Sequence, residues 1–356
     1  MQVEFSTFKG PFKSFVLKQA ILLICILIFL SCQQKKEPDR DPIKKDYLIA
    51  FGSCNNQNLP NTLWKEILKN NPNIFIWGGD VMYCDTDDMQ FMKKNYEQQK
   101  KDSSYQDFIK KVPVIGTWDD HDYGENDGGS SYAKKDSVQS LFLDFFDIDS
   151  KDKRRSQKGI YFSKDINLEK NAIKILVLDT RYFRSDLTMD ATKVKRYIPN
   201  KYGKGTMLGE IQWKWLENEL QNSKADFNII VSSVQFLSKE HGFETWGNMP
   251  HEADKMKEII SSSKAKGVII LSGDRHIAEI SKDRLANSAY PIIDITSSGM
   301  THSYTNFQGE PNVYRLGNVV AQKNFGILHF NFENNAVLME IRGENNVLYE
   351  SYFQKY

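Results

Sequence analysis

The chain has 356 residues, with 47 lysines and arginines against 46 aspartates and glutamates, a net charge of +1, and 40% hydrophobic residues. That is enough length and apolar material for one large domain or two ordinary ones, and it excludes a disordered chain. The balanced charge gives no reason to expect a polyanionic partner, and no nucleic-acid-binding surface is evident.

In chain order, residues 1–32 read as targeting. Lys9, Lys13 and Lys18 precede an apolar run from Ala20 to Leu30, and Ser31-Cys32 closes it. The run is shorter than the ~20 residues of a membrane-spanning helix, so it is expected to be a signal-peptide core. Its ending, IFLSC, resembles a bacterial lipobox, which implies lipid attachment at Cys32 and an exported, membrane-anchored lipoprotein in the periplasmic or cell-surface leaflet. An uncleaved N-terminal anchor is the other reading. Residues 33–45, QQKKEPDRDPIKK, are charged, hold two prolines and lack an apolar period, as a flexible tether does. Beyond it lie Cys54 and Cys84, which in an exported chain could pair as a disulfide, in competition with a metal role for Cys54.

From residue 46 to 356 a single α/β domain is expected. YLIAFGSC, NIFIWGGD, VPVIGTW, IKILVLDTRYF, FNIIVSSVQF, KGVIILSGDRH and PIIDITSSG read as buried strands. TLWKEILKN, a charged stretch up to Lys111 and EIQWKWLENEL read as helices, the last with Trp213 and Trp215 on its core or helix face. FGILHFNFEN, AVLMEIRG and VLYESYF read as antiparallel strands joined at Asn/Gly turns. Gly128-Gly129-Ser130-Ser131 lacks the lysine and following helix of a phosphate-cradling P-loop and is expected to be a flexible loop.

Five strand ends carry chemistry: Ser53-Cys54, Gly79-Asp80 with Tyr83, TWDDHD (117–122), VSSVQ (231–235) and SGDRH (272–276). An aspartate after a strand is usually a cap or turn former. Several acidic and histidine groups at the ends of one sheet's strands are different, because clustered carboxylates repel and resist burial unless a cation offsets them.

FGSC, GGDVMYCD, TWDDHDYGEND, LDTRYFR, LGEIQWKWLENEL and SGDRHIAEI together resemble the alkaline phosphatase D (PhoD-like) family of metallophosphoesterases, in that family's order from Phe51 to Ile280. The resemblance implies a two-sheet αββα sandwich flanked by helices. It also implies hydrolysis of phosphate monoesters or diesters by a metal-bridging hydroxide. Asp80-x-x-Tyr83, Asp119-Asp120-His121 and Gly273-Asp274-Arg275-His276 look like the GDxxY, GNH and GHxH blocks of the wider superfamily. Cys54, Asp80, Tyr83 and His276 would form one mixed site, for which ferric iron is the natural cation, because a phenolate needs a strong Lewis acid. Asp119, Asp120 and Asp274, with Asp80 bridging, make a second, oxygen-rich site suited to calcium, with magnesium or manganese as alternatives. No imidazole occurs in Ser232-Ser233-Val234-Gln235, which weighs against zinc.

His121 is expected to give a proton or contact phosphate, or else to orient a ligand. Arg181 is expected to contact phosphate, or else to form a structural ion pair with Asp179. Arg275 reads as a buried charge partner, and Asn126, His241, Trp246 and His302 as pocket-lining residues. The core is expected to start at Tyr47, without the separate N-terminal β-domain of some relatives, and to be monomeric. The rival class is a non-catalytic surface lipoprotein that binds a phosphorylated ligand.

Overall fold

The computed structural model describes residues 46–286 and 288–356. The segments expected to be a signal peptide and a tether, with Cys32, fall outside the described residues. The described residues form one compact unit. No helix among the described residues is long and apolar enough to cross a membrane.

The first sheet has six strands in the order β15-β14-β13-β1-β2-β3, with β1 at Tyr47–Gly52, β2 at Ile74–Gly78, β3 at Val114–Thr117, β13 at Phe325–Asn331, β14 at Ala336–Arg342 and β15 at Leu348–Lys355. β1, β2 and β3 run parallel, while β13, β14 and β15 are antiparallel, as the Asn/Gly turns suggest. The second sheet has seven strands in the order β12-β10-β11-β9-β8-β5-β4. Its parallel centre is β5 (Ala172–Val177), β8 (Phe227–Val231), β9 (Val268–Ser272) and β11 (Ile292–Ser297). β4 (Phe162–Asn167), β10 (Ala278–Asp283) and β12 (Arg315–Val320) pair antiparallel at its flanks. A short ribbon joins β6 (Thr188–Met189) to β7 (Tyr197–Ile198).

Strand period sorts the layers. Ile49, Phe51, Ile74 and Ile76 pack between the sheets against Ile175, Val177, Ile229 and Ile269. The alternate residues Ala50, Phe75 and Trp77 face helices α1 (Leu63–Leu68), α2 (Met89–Lys101), α3 (Ser103–Ile109), the short α4 (Asp120–Tyr123) and α5 (Lys135–Phe145). On the far side, Leu176, Ile230 and Ile270 face α6 (Gly209–Gln221) and α7 (Pro250–Ser262). The result is an αββα sandwich. Trp213 is buried in the helix-side core and Trp215 packs at its margin, as helical spacing requires.

The carboxyl ends of β1, β2, β3, β8 and β9 carry the five blocks singled out above, and that of β5 carries Arg181.

Candidate metal centre

Four of the expected ligands sit on strained backbone. Cys54, Asp80, Asp274 and His276 have φ of 62°, 49°, 68° and 53°, a left-handed region that non-glycine residues rarely occupy. Each follows a parallel strand, so the chain turns sharply there and presents the side chain at the strand end. Gly79, at φ +102°, leads into Asp80, and a Cβ on it would lie 2.6 Å from the Cβ of Asp119. Only glycine lets β2 pass so close to the acidic turn after β3.

The donors converge. Cys54 Sγ lies 3.3 Å from Asp80 Oδ2. The Tyr83 hydroxyl lies 3.4 Å from the same oxygen and 2.8 Å from His276 Nε2. Cys54, Asp80 and His276 each offer a ligand atom within 4.8 Å of the others, as do Asp80, Asp120 and His121, and again Asp119, Asp120 and Asp274. Asp80 therefore belongs to two adjoining groups, and Asp120 links the second of them to Asp119 and Asp274.

The residues fit a pair of cations on three counts. Asp119 Oδ2 is buried and has no hydrogen-bond partner, so a donor atom is in place with nothing of the protein to satisfy it. Burial, with Asp120 beside it, pushes the Asp80 carboxyl well above the usual range, and burial with Asp119 and Asp120 does the same to Asp274. Burial, then Asp80, pushes up the Cys54 thiol, and burial, then Cys54 and Asp80, pushes up the Tyr83 phenol. These groups hold protons against the repulsion of their neighbours, and cations would displace the protons. Burial also lowers His276 to about 4, leaving its imidazole lone pair free to bind. Cys54 and Cys84 are both free thiols, so the disulfide alternative is not realised.

His121 stacks on Tyr83 with ring centroids 4.2 Å apart. Its Nδ1 bonds both carboxylate oxygens of Asp85, at 2.9 and 3.0 Å. Burial opposes its charge, but the Asp85 bond and the carboxylates of Asp80 and Asp120 raise it to about 11.

Arg181 is not where the sequence reading put it. Its side chain is fully buried. Nε donates to Asp119 Oδ1 at 2.6 Å, Nη2 pairs with the same carboxylate, and Nη1 donates to Glu244 Oε2 at 2.6 Å and to the Gly128 carbonyl at 3.3 Å. A guanidinium occupied in this way is not available to a phosphate. Nor is Asp179 its ionic partner: Asp179 accepts backbone N–H groups from Ile160, Arg181 and Tyr182 and the Trp118 indole, as a turn former does.

Over the ligands lies a cleft of about 380 Å³, bordered by Asn126, Arg196, Phe243, Glu244, Arg275 and Tyr304 among others. Asn126 lines it as expected. Trp246 does not: it is buried against Trp213 and Phe236 and donates to Ser232. His241 stacks on Phe243 and is not among the cleft's lining residues, with burial lowering it to about 3. His302 packs edge-on against His276 at 4.5 Å and against Tyr83 at 5.2 Å. Arg275 pairs with Glu310 at 2.7 Å, as a charge partner should, but it also borders the cleft. Asp85, Asp127, Arg196, Phe243 and Glu244 were missed. Asp85, close behind Tyr83, was the one with a local cue.

A family model described as PhoD-like phosphatase matches residues 49–303. Alkaline phosphatase D of Bacillus subtilis (strain 168) is 22% identical over 213 residues, 53% of this chain, which spans 35% of that relative's length. A solved structure titled as that of PhoD superposes with a TM-score of 0.67 at 17% identity, covering 87% of this chain and 68% of the other. GAP50, the anchor in the inner membrane complex of Plasmodium, has a TM-score of 0.52 at 11% identity, covering 88% and 89%. A dimetal phosphatase from Danio rerio also reaches 0.52, at 12% identity, covering 88% and 99%. An anchor and a phosphatase share the architecture equally well, so the likeness of these structures speaks for the fold, and function must be argued from the site.

Proposed function

The chain belongs to the PhoD-like phosphatases, and from that premise we propose that it hydrolyses phosphate esters, with phosphodiesters preferred, at a two-cation centre. The observation that carries the reading is the chain of shared carboxylates: Asp80 belongs with Cys54 and His276 and also with Asp120, and Asp120 belongs in turn with Asp119 and Asp274. Cys54, Asp80, Tyr83 and His276 would hold one cation, a thiolate, phenolate and imidazole set suited to ferric iron. Asp80, Asp119, Asp120 and Asp274 would hold the other, an oxygen set suited to calcium, with magnesium or manganese as alternatives. When bound, the pair supplies Lewis acidity, lowering the pKa of a water and offsetting charge on the phosphoryl oxygens.

The chain's own groups do the rest. Asp85 fixes the proton on His121 Nδ1 and the ring's orientation, leaving the Nε2 proton for the departing alkoxide oxygen. The side-chain cations of the cleft are already matched: Arg196 pairs with Asp127, Arg275 with Glu310 and His121 with Asp85. With little surplus positive charge beyond the cations, a monoanionic diester is easier to accommodate than a dianionic monoester.

The test is hydrolysis of an aryl phosphodiester against the matched monoester, with iron-loaded protein, added calcium and Asp80→Asn as the blank. Faster turnover of the diester is expected, with a loss of at least about 10³-fold in the blank, because one substitution disturbs both cation sites. A faster monoester would overturn the diester preference. No activity above the blank on either would favour a binding role for the fold.

A further inference from the structure

We infer that Arg181 is a positioning residue for the second cation site, a fixed internal counter-charge that commits one oxygen of Asp119 to the protein and leaves the other for a metal. This rests on the two-cation reading above.

The sequence reading offered Arg181 to phosphate or to an ion pair with Asp179, and its burial against Asp119 and Glu244 removes both and raises a question. A fully buried guanidinium beside a cluster of carboxylates is costly unless each of its hydrogen-bonding edges is matched. Here Nε and Nη1 are hydrogen-bonded, while Nη2 has its ion pair with Asp119 alone. Asp119 follows β3 of the first sheet, whereas Arg181 follows β5 and Ser233 follows β8, both of the second. All the side-chain hydrogen bonds to Asp119 fall on Oδ1: Arg181 Nε at 2.6 Å and Ser233 Oγ at 2.7 Å, with Arg181 Nη2 paired to the same atom. Oδ2 is left buried and without a hydrogen-bond partner, with an oxygen of Asp119 within 4.8 Å of ligand atoms of Asp120 and Asp274. A carboxylate with one oxygen tied down from the opposite sheet cannot swing, and its free oxygen keeps a single direction.

The far side of the guanidinium is equally constrained. Nη1 donates to Glu244 Oε2 at 2.6 Å, and Glu244 Oε1 in turn faces Arg184 Nε at 2.8 Å. Arg181, Arg184, Asp119 and Glu244 are all buried. The two guanidiniums match the two carboxylates in number, so the network is neutral as a set. Partners that orient a ligand in this way typically contribute 10–100-fold to metal affinity.

The experiment is calorimetric titration of the protein with calcium alone and with manganese alone, for the wild type, Arg181→Met and Ser233→Ala, with near-UV circular dichroism as the check on folding. Iron content is measured in parallel. Divalent-cation affinity is expected to fall about 10–100-fold in Arg181→Met and by a smaller factor in Ser233→Ala, with iron stoichiometry unchanged in both. Folded Arg181→Met protein with the wild-type isotherm would overturn the inference. If Arg181→Met does not fold, Ser233→Ala decides, because it removes one Oδ1 donor without unbalancing charge: an unchanged isotherm overturns the inference, and a weakened one with iron retained supports it. A wild-type chain that takes up no divalent cation overturns the two-cation reading, and the inference falls with it.

Discussion

At the scale of single residues, the site depends on backbone conformations that the chain adopts at a cost. Left-handed φ at a non-glycine residue costs on the order of 1–3 kcal/mol, and Cys54, Asp80, Asp274 and His276 each adopt it. Each of these strained turns ends a buried parallel strand, so the sheet holds them in place. Their identities were legible in the sequence because Cys54, Asp80 and Asp274 each follow a glycine or serine at a strand end, and His276 stands two residues beyond Asp274 in the same block. Asp85 was not singled out, since an exposed aspartate after a strand is ordinary until its contact with His121 is seen. Asp85→Asn would weaken the hold on the His121 Nδ1 proton. kcat is expected to fall about 10²-fold, within the usual range for general acid catalysis, with KM and metal content little changed. Steady-state kinetics with metal analysis checks this, and an unaltered kcat would assign Asp85 to the surface alone.

At the scale of elements, legibility followed burial. β1, β2, β5, β8, β9 and β11 are apolar runs buried along most of their length, and each was readable from composition. β4 and β12 were missed because they lie at sheet edges, where half-exposed polar residues blur the pattern. β10 was missed for another reason: AEISKD reads as a continuation of the SGDRH turn. Among the antiparallel strands, the buried His329 on β13 bonds Glu340 of β14 at 2.7 Å, and Arg342 donates to the same carboxylate at 2.8 Å. Burial opposes ionisation of Glu340, but these two partners hold it down to about 2. A carboxyl lowered on folding contributes stability that is fully present above its unfolded value, about 4.3, and is lost as pH falls through about 2. Glu340→Gln should therefore be less stable than the wild type at neutral pH, and the gap should narrow between about pH 4 and pH 2. Denaturant unfolding across that range measures it, and a gap independent of pH would rule out the ion pair as its source.

At the scale of the whole molecule, the centre lies where two sheets meet. Cys54, Asp80, Asp119 and Asp120 come from the first sheet, and Asp274 and His276 from the second. Cations bound there would link the sheets and relieve the repulsion among the carboxylates. Chelation should then lower the melting temperature by several degrees, since a ligand at 100 times its Kd stabilises by about 2.7 kcal/mol. Scanning calorimetry with and without chelator tests this, and coincident melts would show that the carboxylates are satisfied without metal.

The sequence by itself determined the class of fold, the order of the buried strands and the stock of candidate ligands, because strand burial and turn chemistry are written over a few neighbouring residues. Only the tertiary structure decided the pairings. Arg181 meets Asp119 across 62 residues of chain, and His121 meets Asp85 across 36. A charged side chain takes whichever partner the packing of two sheets brings within hydrogen-bond reach, and nothing near Arg181 in the chain specifies that partner.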